Sequence, residues 1–327
     1  MTQLPEQVRP HPISPDPDHA STAAQRLLDG VGSVVRGRQP ILELICCALL
    51  SGGHVLLQDV PGSGKTTIGR AFAHSADVTF GRVQATSDML PADITGSSVW
   101  RPGDGTFHFV PGPIFAHVVL VDELNRASSR TQSAFMEALE EHAVTVDGVR
   151  HPLPDPFFVI ATQNPVEQYG TFPLPEGQLD RFTMCLRLGP MDPADELQVL
   201  REQVHRSTVE DLRPVVDADT LRWLRAQSRS VHVGEPVGRY VLDLVAASRQ
   251  HPEIVLGAST RAAIVLTRAA QARALLRGRD FVTPDDVKAL AIPVLAHRLV
   301  FSYDCDLPHA EKVVAHLVAG VQVPLTG

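Results

Sequence analysis

An α/β core, built on a parallel sheet flanked by helices and followed by an all-helical unit, is the fold this sequence predicts. Three observations carry that expectation. The runs His54–Gln58, Val118–Val121 and Phe157–Ala161 are apolar on both faces and bounded by turn residues, as buried parallel strands are. Helical spacing fills the intervals at 66–75 and 131–141, so strands alternate with helices. From about Met191 onward β-type runs stop and apolar residues recur three and four positions apart. The chain has 327 residues. Single cores stop growing at about 250–300 residues, so two packed units are expected.

Residues 1–20 read as a flexible, Pro-rich leader whose acidic residues and lack of an apolar run exclude a secretory signal. Helices are expected at 21–29 and 40–51, separated by the turn-like Val34–Arg38. The apolar stretch Ile41–Leu50 carries Glu43 and falls short of the roughly 20 residues that cross a bilayer, so no membrane span is expected. Two hairpins interrupt the α/β alternation. The first turns at Pro102-Gly103-Asp104-Gly105, between Ser98–Arg101 and Thr106–Phe109, and the second turns at Asp147-Gly148, a pair suited to a type I′ turn. Helices follow at 193–206, 217–228, 236–250, 259–278, 284–299 and 308–320, and Thr283-Pro284-Asp285-Asp286 is a helix start. The expected divisions are a leader at 1–20, an α/β domain at 21–189 and a helical domain at 190–327.

Charge and cysteines narrow the class. With 29 Lys+Arg against 37 Asp+Glu the formal charge is −8, which lacks the general phosphate-binding term that coats nucleic acids with protein. Cys46, Cys47, Cys185 and Cys305 form no CxxC pair, which fits a reducing cytoplasmic setting, and Cys46-Cys47 reads as packing. None of the 14 histidines forms an HExxH or similar ligand pair.

The motif with the most chemistry is Asp59-Val60-Pro61-Gly62-Ser63-Gly64-Lys65-Thr66-Thr67, between a buried strand and a helix. That context is the one a P-loop requires. Gly62 and Gly64 let backbone N–H groups wrap a polyphosphate, Lys65 adds a point charge, and the Thr66 hydroxyl is suited to Mg²⁺. Asp59 stands where the strict pattern has glycine. A plain Gly-rich connection is the alternative, and Lys-Thr between those elements argues against it. The strand at 118–121 ends in Asp122-Glu123: Asp122 is expected in the Mg²⁺ shell and Glu123 as the base that polarises an attacking water. Asn164, at the tip of the strand at 157–161, is a neutral polar group for holding that water. Developing phosphoryl charge calls for further cations, for which Arg181 and Arg261 are candidates.

These segments, with Asp122–Glu141, Phe157–Phe182 and Gly257–Ala262, resemble the MoxR family of AAA+ ATPases, and the resemblance covers nearly everything after the leader. It implies ATP and Mg²⁺ as cofactors and a ring, usually a hexamer in the family, with ATP held between subunits. It implies Walker A for Lys65 and Thr66, Walker B for Asp122 and Glu123, and sensor 1 for Asn164. Arg181 matches the arginine finger given to a neighbour's site and Arg261 matches sensor 2 of the lid. The two hairpins match the helix-2 insert, which faces the pore, and the pre-sensor-1 hairpin; Trp100 and Phe107 read equally as core, interface or substrate grips.

The resemblance further implies remodelling or chaperone-like maturation of a client protein, with a von Willebrand factor A domain protein as a frequent companion. Minichromosome-maintenance helicases and magnesium-chelatase subunits share the same inserts, so a DNA-acting or chelatase motor is the runner-up. Residues 97–109 and 143–151 each hold one Arg, one Asp and no Lys, too few cations for gripping a phosphate track. A non-hydrolysing nucleotide switch or scaffold is opposed by Glu123 and Arg181. The arginines 268, 273, 277 and 279 of the lid read as a solvated helix face.

Overall fold

The computed structural model describes residues 17–58, 64–103, 105–164, 170–189, 192–197 and 209–324. Asp59, Val60, Pro61, Gly62 and Ser63 of the phosphate-loop motif lie outside the described residues.

Helices α1 (Pro17–Val34) and α2 (Gln39–Ser51) lead into β1 (Val55–Gln58). The helix starts earlier than the leader assigned to residues 1–20 allows. Ala20, Ala24, Leu27 and Val31 form a buried stripe at threefold and fourfold spacing, and burying that stripe takes a helix that includes Ala20. Next come α3 (Lys65–Ser75), β2 (Phe80–Gln84), α4 (Pro91–Thr95), β3 (Gly96–Arg101) and β4 (Thr106–Pro111). They are followed by β5 (Val118–Asp122), α5 (Ser129–Glu141), β6 (Ala143–Val146), β7 (Val149–Pro152), β8 (Phe158–Gln163), α6 (Glu176–Leu179) and β9 (Met184–Leu186). The sheet order is β2-β5-β8-β1-β9 with parallel neighbours. Every residue of β5 is buried, as are five of the six in β8, as their uninterrupted apolar runs require. Strands β2 and β9 escaped the pattern reading: Phe80-Gly81-Arg82-Val83-Gln84 lacks an apolar run, and Met184-Cys185-Leu186 is three residues long.

Both hairpins are antiparallel pairs, β3 with β4 and β6 with β7. Asp147 and Gly148 have φ of 50° and 78°, the positive pair that a type I′ turn requires. Trp100 and Phe107 face each other across the first hairpin with ring centroids 5.1 Å apart, and at 50% and 69% exposure they are not core.

Among the described residues from 209 onward, the helical part comprises α7 (Ala218–Ser230), α8 (Glu235–Gln250), α9 (Thr260–Leu276), α10 (Pro284–Leu295) and α11 (Leu307–Gly320), and most of the helix expected at 193–206 lies outside the described residues. A small antiparallel ribbon, β10 (Ile254–Leu256) with β11 (Val300–Phe301), is added to the expected helices. Thr283 caps α10 in a reciprocal box with Asp286. Of the lid arginines expected on a solvated face, Arg268 and Arg277 are exposed, whereas Arg273 and Arg279 turn inward. Arg273 and Arg279 hold the fully buried Asp286 carboxylate at 2.7 and 2.6 Å, and Arg277 reaches Glu43 of α2 at 2.7 Å. The Asp286 pairs sit where α9 packs on α10, and contact between the helices shields them from water, whereas the Arg277 side chain stays half exposed at the α2 contact.

The histidine before β1 fastens three elements. The Nδ1 of His54 accepts from the Val159 amide at 3.1 Å, which leaves Nε2–H to donate to the Leu139 carbonyl at 3.2 Å. Burial, helped by His142, pushes its pKa down to about 3. His54 is therefore neutral when folded but protonates below about 6.5 when unfolded, so its contribution is complete above pH 6.5 and declines between 6.5 and 3. Unfolding free energy measured by urea titration should fall on acidification through this window. His54→Gln, which keeps a donor and an acceptor, should remove about 1.4 kcal/mol per pH unit of that slope; an unchanged slope would show that His54 is not the group titrating.

Candidate functional site

Parallel pairing gathers the strand ends. At the C-terminal edge β1 leads toward α3, β5 ends in Asp122, and β8 ends next to Asn164. The chain leaves β1 for β2 across β8 and β5, so β1 lies at a point where connections diverge, the usual place for a ligand crevice in such sheets.

Gly64 caps α3 with φ 88°. A Cβ there would meet nothing within 4 Å among the described residues, and the left-handed backbone itself calls for glycine. Lys65 is the first residue of α3 and Thr66 the second, which puts both at the end where unpaired N–H groups attract anions.

Asp122 is buried, and its Oδ2 accepts from Nε of Arg82 on β2 at 2.9 Å. Glu123 has φ 56°, a left-handed conformation rarely adopted outside glycine, and its amide donates to Thr162 Oγ1 at 2.8 Å. The turn aims its carboxylate sideways, where Oε2 accepts from Arg126 Nε at 2.8 Å and Gln84 Nε2 at 3.3 Å. Asn164 is 7% exposed. The donor set fits Mg²⁺ and a polyphosphate: a buried carboxylate and a hydroxyl supply hard oxygens, and a helix start supplies N–H groups.

Arg181 and Arg261 are elsewhere. Arg181 precedes β9 and therefore sits at the N-terminal edge of the sheet, beside the end of α5. Its Nε donates to Oε2 of Glu140 at 2.9 Å and its Nη1 to the Gly177 carbonyl at 2.7 Å. Arg261, in the first turn of lid helix α9, donates from Nη1 to Oε1 of the same Glu140 at 2.9 Å. Asp180 lies 3.8 Å from Arg261 Nε and accepts from the buried Arg298 at 2.8 Å. Both arginines line a cavity of about 200 Å³ together with His54, His142 and Arg268. Strands rise about 3.3 Å per residue, so β1 alone separates this edge from the Lys65 edge by about 13 Å.

Lys65, Thr66, Asp122, Glu123 and Asn164 thus gather at one edge, and Arg181 and Arg261 meet at the other. Sequence reading missed Arg82, Gln84, Arg126 and Glu140. Arg82 and Gln84 sit on the unrecognised β2, whereas Glu140 did leave a signal: it is an acid at the C-terminal end of a helix, where the dipole favours cations.

A helix start and acid-tipped strand on a parallel sheet, with a helical lid behind, define an AAA-type ATPase. Residues 54–184 match the family described as ATPases associated with various cellular activities, and 246–317 match the AAA lid domain. Uncharacterized protein YeaC of Bacillus subtilis is 44% identical over 92% of this chain and 94% of its own. Chaperone MoxR1 of Mycobacterium tuberculosis is 36% identical over 92% of this chain and 82% of its own. The crystal structure of an ATPase candidate from Cytophaga hutchinsonii superposes with a TM-score of 0.86 at 34% identity, over 94% of this chain and 97% of that one. The chain belongs to the MoxR family of AAA+ ATPases.

The left-handed Glu123 makes a test of local strain. Glu123→Gly and Glu123→Ala both remove the carboxylate, so their difference isolates the backbone. The glycine variant should be the more stable by about 1 kcal/mol in urea titration, and equal stabilities would mean that the turn is unstrained.

Proposed function

We propose that this protein is a ring-forming ATPase that hydrolyses ATP to remodel, mature or activate client proteins. The observation that carries this reading is the division of the charged groups between two sheet edges. Lys65, Thr66, Asp122, Glu123 and Asn164 gather at one edge, while Arg181 and Arg261 are held at the other. A single chain cannot bring the two sets to one phosphate without dismantling Glu140's ion pairs and crossing the sheet. Two chains side by side in a ring can, with the arginine edge of one facing the helix-start edge of the next. The same distance supports a trans role for Arg261 as well as Arg181.

In this reading Asp59 to Thr67 wrap the phosphates of ATP and Lys65 neutralises charge on them. Thr66 and Asp122 would hold Mg²⁺, which when bound supplies charge neutralisation between the phosphates. Arg82, which holds the Asp122 carboxylate at 2.9 Å, would give way to it there. Glu123 orients and deprotonates water for in-line attack, and Asn164 holds the water. Arg181 and Arg261 of the adjacent subunit stabilise the transferring phosphoryl group, a contribution on the order of 10³–10⁵ in rate where trans arginines act.

A protein client fits better than a nucleic-acid track. The β3–β4 hairpin offers exposed Trp100, Phe107, Val99 and Val110, with Arg101 its one cation among the described residues. Phosphate tracking would call for several cations, as the salt dependence of such contacts requires. Apolar groups suit unfolded or partly folded protein. The relative from M. tuberculosis is named a chaperone, and a client acting with a von Willebrand factor A domain protein is the companion we expect. No helix among the described residues is long and apolar enough to cross a membrane, and a cytoplasmic site of action is part of the proposal.

ATP turnover per subunit should rise with protein concentration as assembly proceeds; a flat dependence in confirmed monomers would overturn the shared site. Glu123→Gln should retain ATP binding and lose turnover by a hundredfold or more, and parental turnover would remove Glu123 from the base role. Mixing Arg261→Ala with Lys65→Ala subunits should restore part of the activity, because some interfaces then pair an intact Lys65 with an intact Arg261. No recovery at any ratio would place Arg261 in cis.

A further inference from the structure

We propose that Glu140 is the positioning residue for the trans arginines, holding Arg181 of the core and Arg261 of the lid as one unit aimed at the neighbouring subunit. The inference rests on the shared-site reading above and goes beyond it in assigning a role to a residue that touches no substrate.

The two guanidinium groups come from different domains, one before β9 and one in α9, yet they meet on one carboxylate. Each takes its own oxygen: Arg181 Nε binds Oε2 and Arg261 Nη1 binds Oε1, both at 2.9 Å. A bridging carboxylate of this kind sets the spacing of the two cations and offsets their mutual repulsion. Hydrogen bonds from Arg261 first, then Arg181, hold the Glu140 carboxyl below the usual carboxylate range, so it stays ionised at neutral pH. The arginines remain open for work, with side chains 29% and 48% exposed and both lining the 200 Å³ cavity.

Glu140 also stands where an acid is locally disfavoured, at the C-terminal end of α5 with no basic residue in the last turn of that helix. Its partners compensate from outside the helix. Asp180 completes the arrangement, because buried Arg298 fixes its carboxylate on one side while Arg261 stands on the other. Long arginine side chains lose much rotamer freedom when fixed. A tether that fixes them before the neighbour arrives removes that cost from the catalytic step, which is the general benefit of preorganisation. The lid contributes one of the two arginines, so the tether forms only when lid and core are correctly docked, and lid position is thereby linked to the competence of the next site.

The test uses the full-length protein at concentrations where assembly is verified by light scattering, with kcat and KM for ATP measured separately. Glu140→Gln should lower kcat about tenfold or more, with KM within twofold and thermal midpoint and assembly unchanged. Glu140→Asp, which restores a carboxylate on a shorter stem, should recover part of the loss. In an Arg261→Ala background, where Glu140 has only Arg181 to hold, Glu140→Gln should cost less than it does in the parent, since residues acting as a unit are non-additive. Parental kcat in Glu140→Gln, a loss confined to assembly or stability, or full additivity with Arg261→Ala would each overturn the tether. If Arg181→Ala and Arg261→Ala both leave kcat at the parental value, the shared-site reading itself fails. If they lower it and Glu140→Gln does not, only the tether fails.

Discussion

The parallel pairing of β2, β5, β8, β1 and β9 is the constraint from which the rest of this molecule follows. Parallel strands deliver all their C-terminal ends to one edge, so residues as far apart in sequence as Lys65 and Asn164 are gathered at the same edge. The same geometry delivers every strand start to the opposite edge. His54, Thr183 and the end of α5 meet there, with the Thr183 amide donating to the His54 carbonyl at 2.8 Å. Burial of β5 and β8 on both faces keeps the middle of the sheet out of water and leaves the polar groups to its two edges. Two separate edges are the direct outcome, one with a helix start beside Asp122 and Glu123, the other with Arg181 and Arg261 gathered on Glu140.

Legibility in the sequence tracked burial and local chemistry. Strands β1, β5 and β8 were readable because both faces are apolar, and α10 because Thr283-Pro284-Asp285-Asp286 supplies a hydroxyl cap, a first-turn proline and carboxylates at the positive end of the helix. The turn at Asp147-Gly148 was readable because only a few residue pairs adopt two successive positive φ values. What escaped was set by tertiary context. Strand β2 carries Gly81 and Arg82 and is a strand because β5 pairs with it, not because its residues favour one. The helix begins before residue 21 because Ala20 has a core to enter, and a Pro-rich leader with no visible partner hides that.

The lid arginines teach a related lesson about charge. On the sequence they formed a basic helical face of the kind solvent usually covers. In the fold, Asp286 lies fully buried: desolvation opposes its charged form, and hydrogen bonds from Arg279, Thr283 and Arg273 outweigh that opposition and leave its pKa below the ordinary value. Removing one member would leave an uncompensated buried charge, so such groups act as a set. Ionic pairing is also directional. It fixes α9 on α10 through Asp286 and on α2 through Glu43, where the apolar contacts around it would tolerate small rotations.

Helix α5 joins the two chemistries. It begins at Ser129, just after the turn that holds Glu123 and Arg126, and ends at Glu140-Glu141 beside Arg181. Its 13 residues span about 20 Å at 1.5 Å per residue. Phe135, Met136, Ala138 and Leu139 are buried along it, and Ser128 caps its start by accepting from the Thr131 amide at 3.3 Å. A capped helix of that length, packed into a close-fitting interior, transmits displacement better than it absorbs it. Helix α5 thus connects the Glu123 turn, whose backbone is left-handed, to the end where Glu140 meets the arginines. In a ring whose sites each borrow arginines from a neighbour, such a strut would make the state of one site a determinant of the geometry presented to the next.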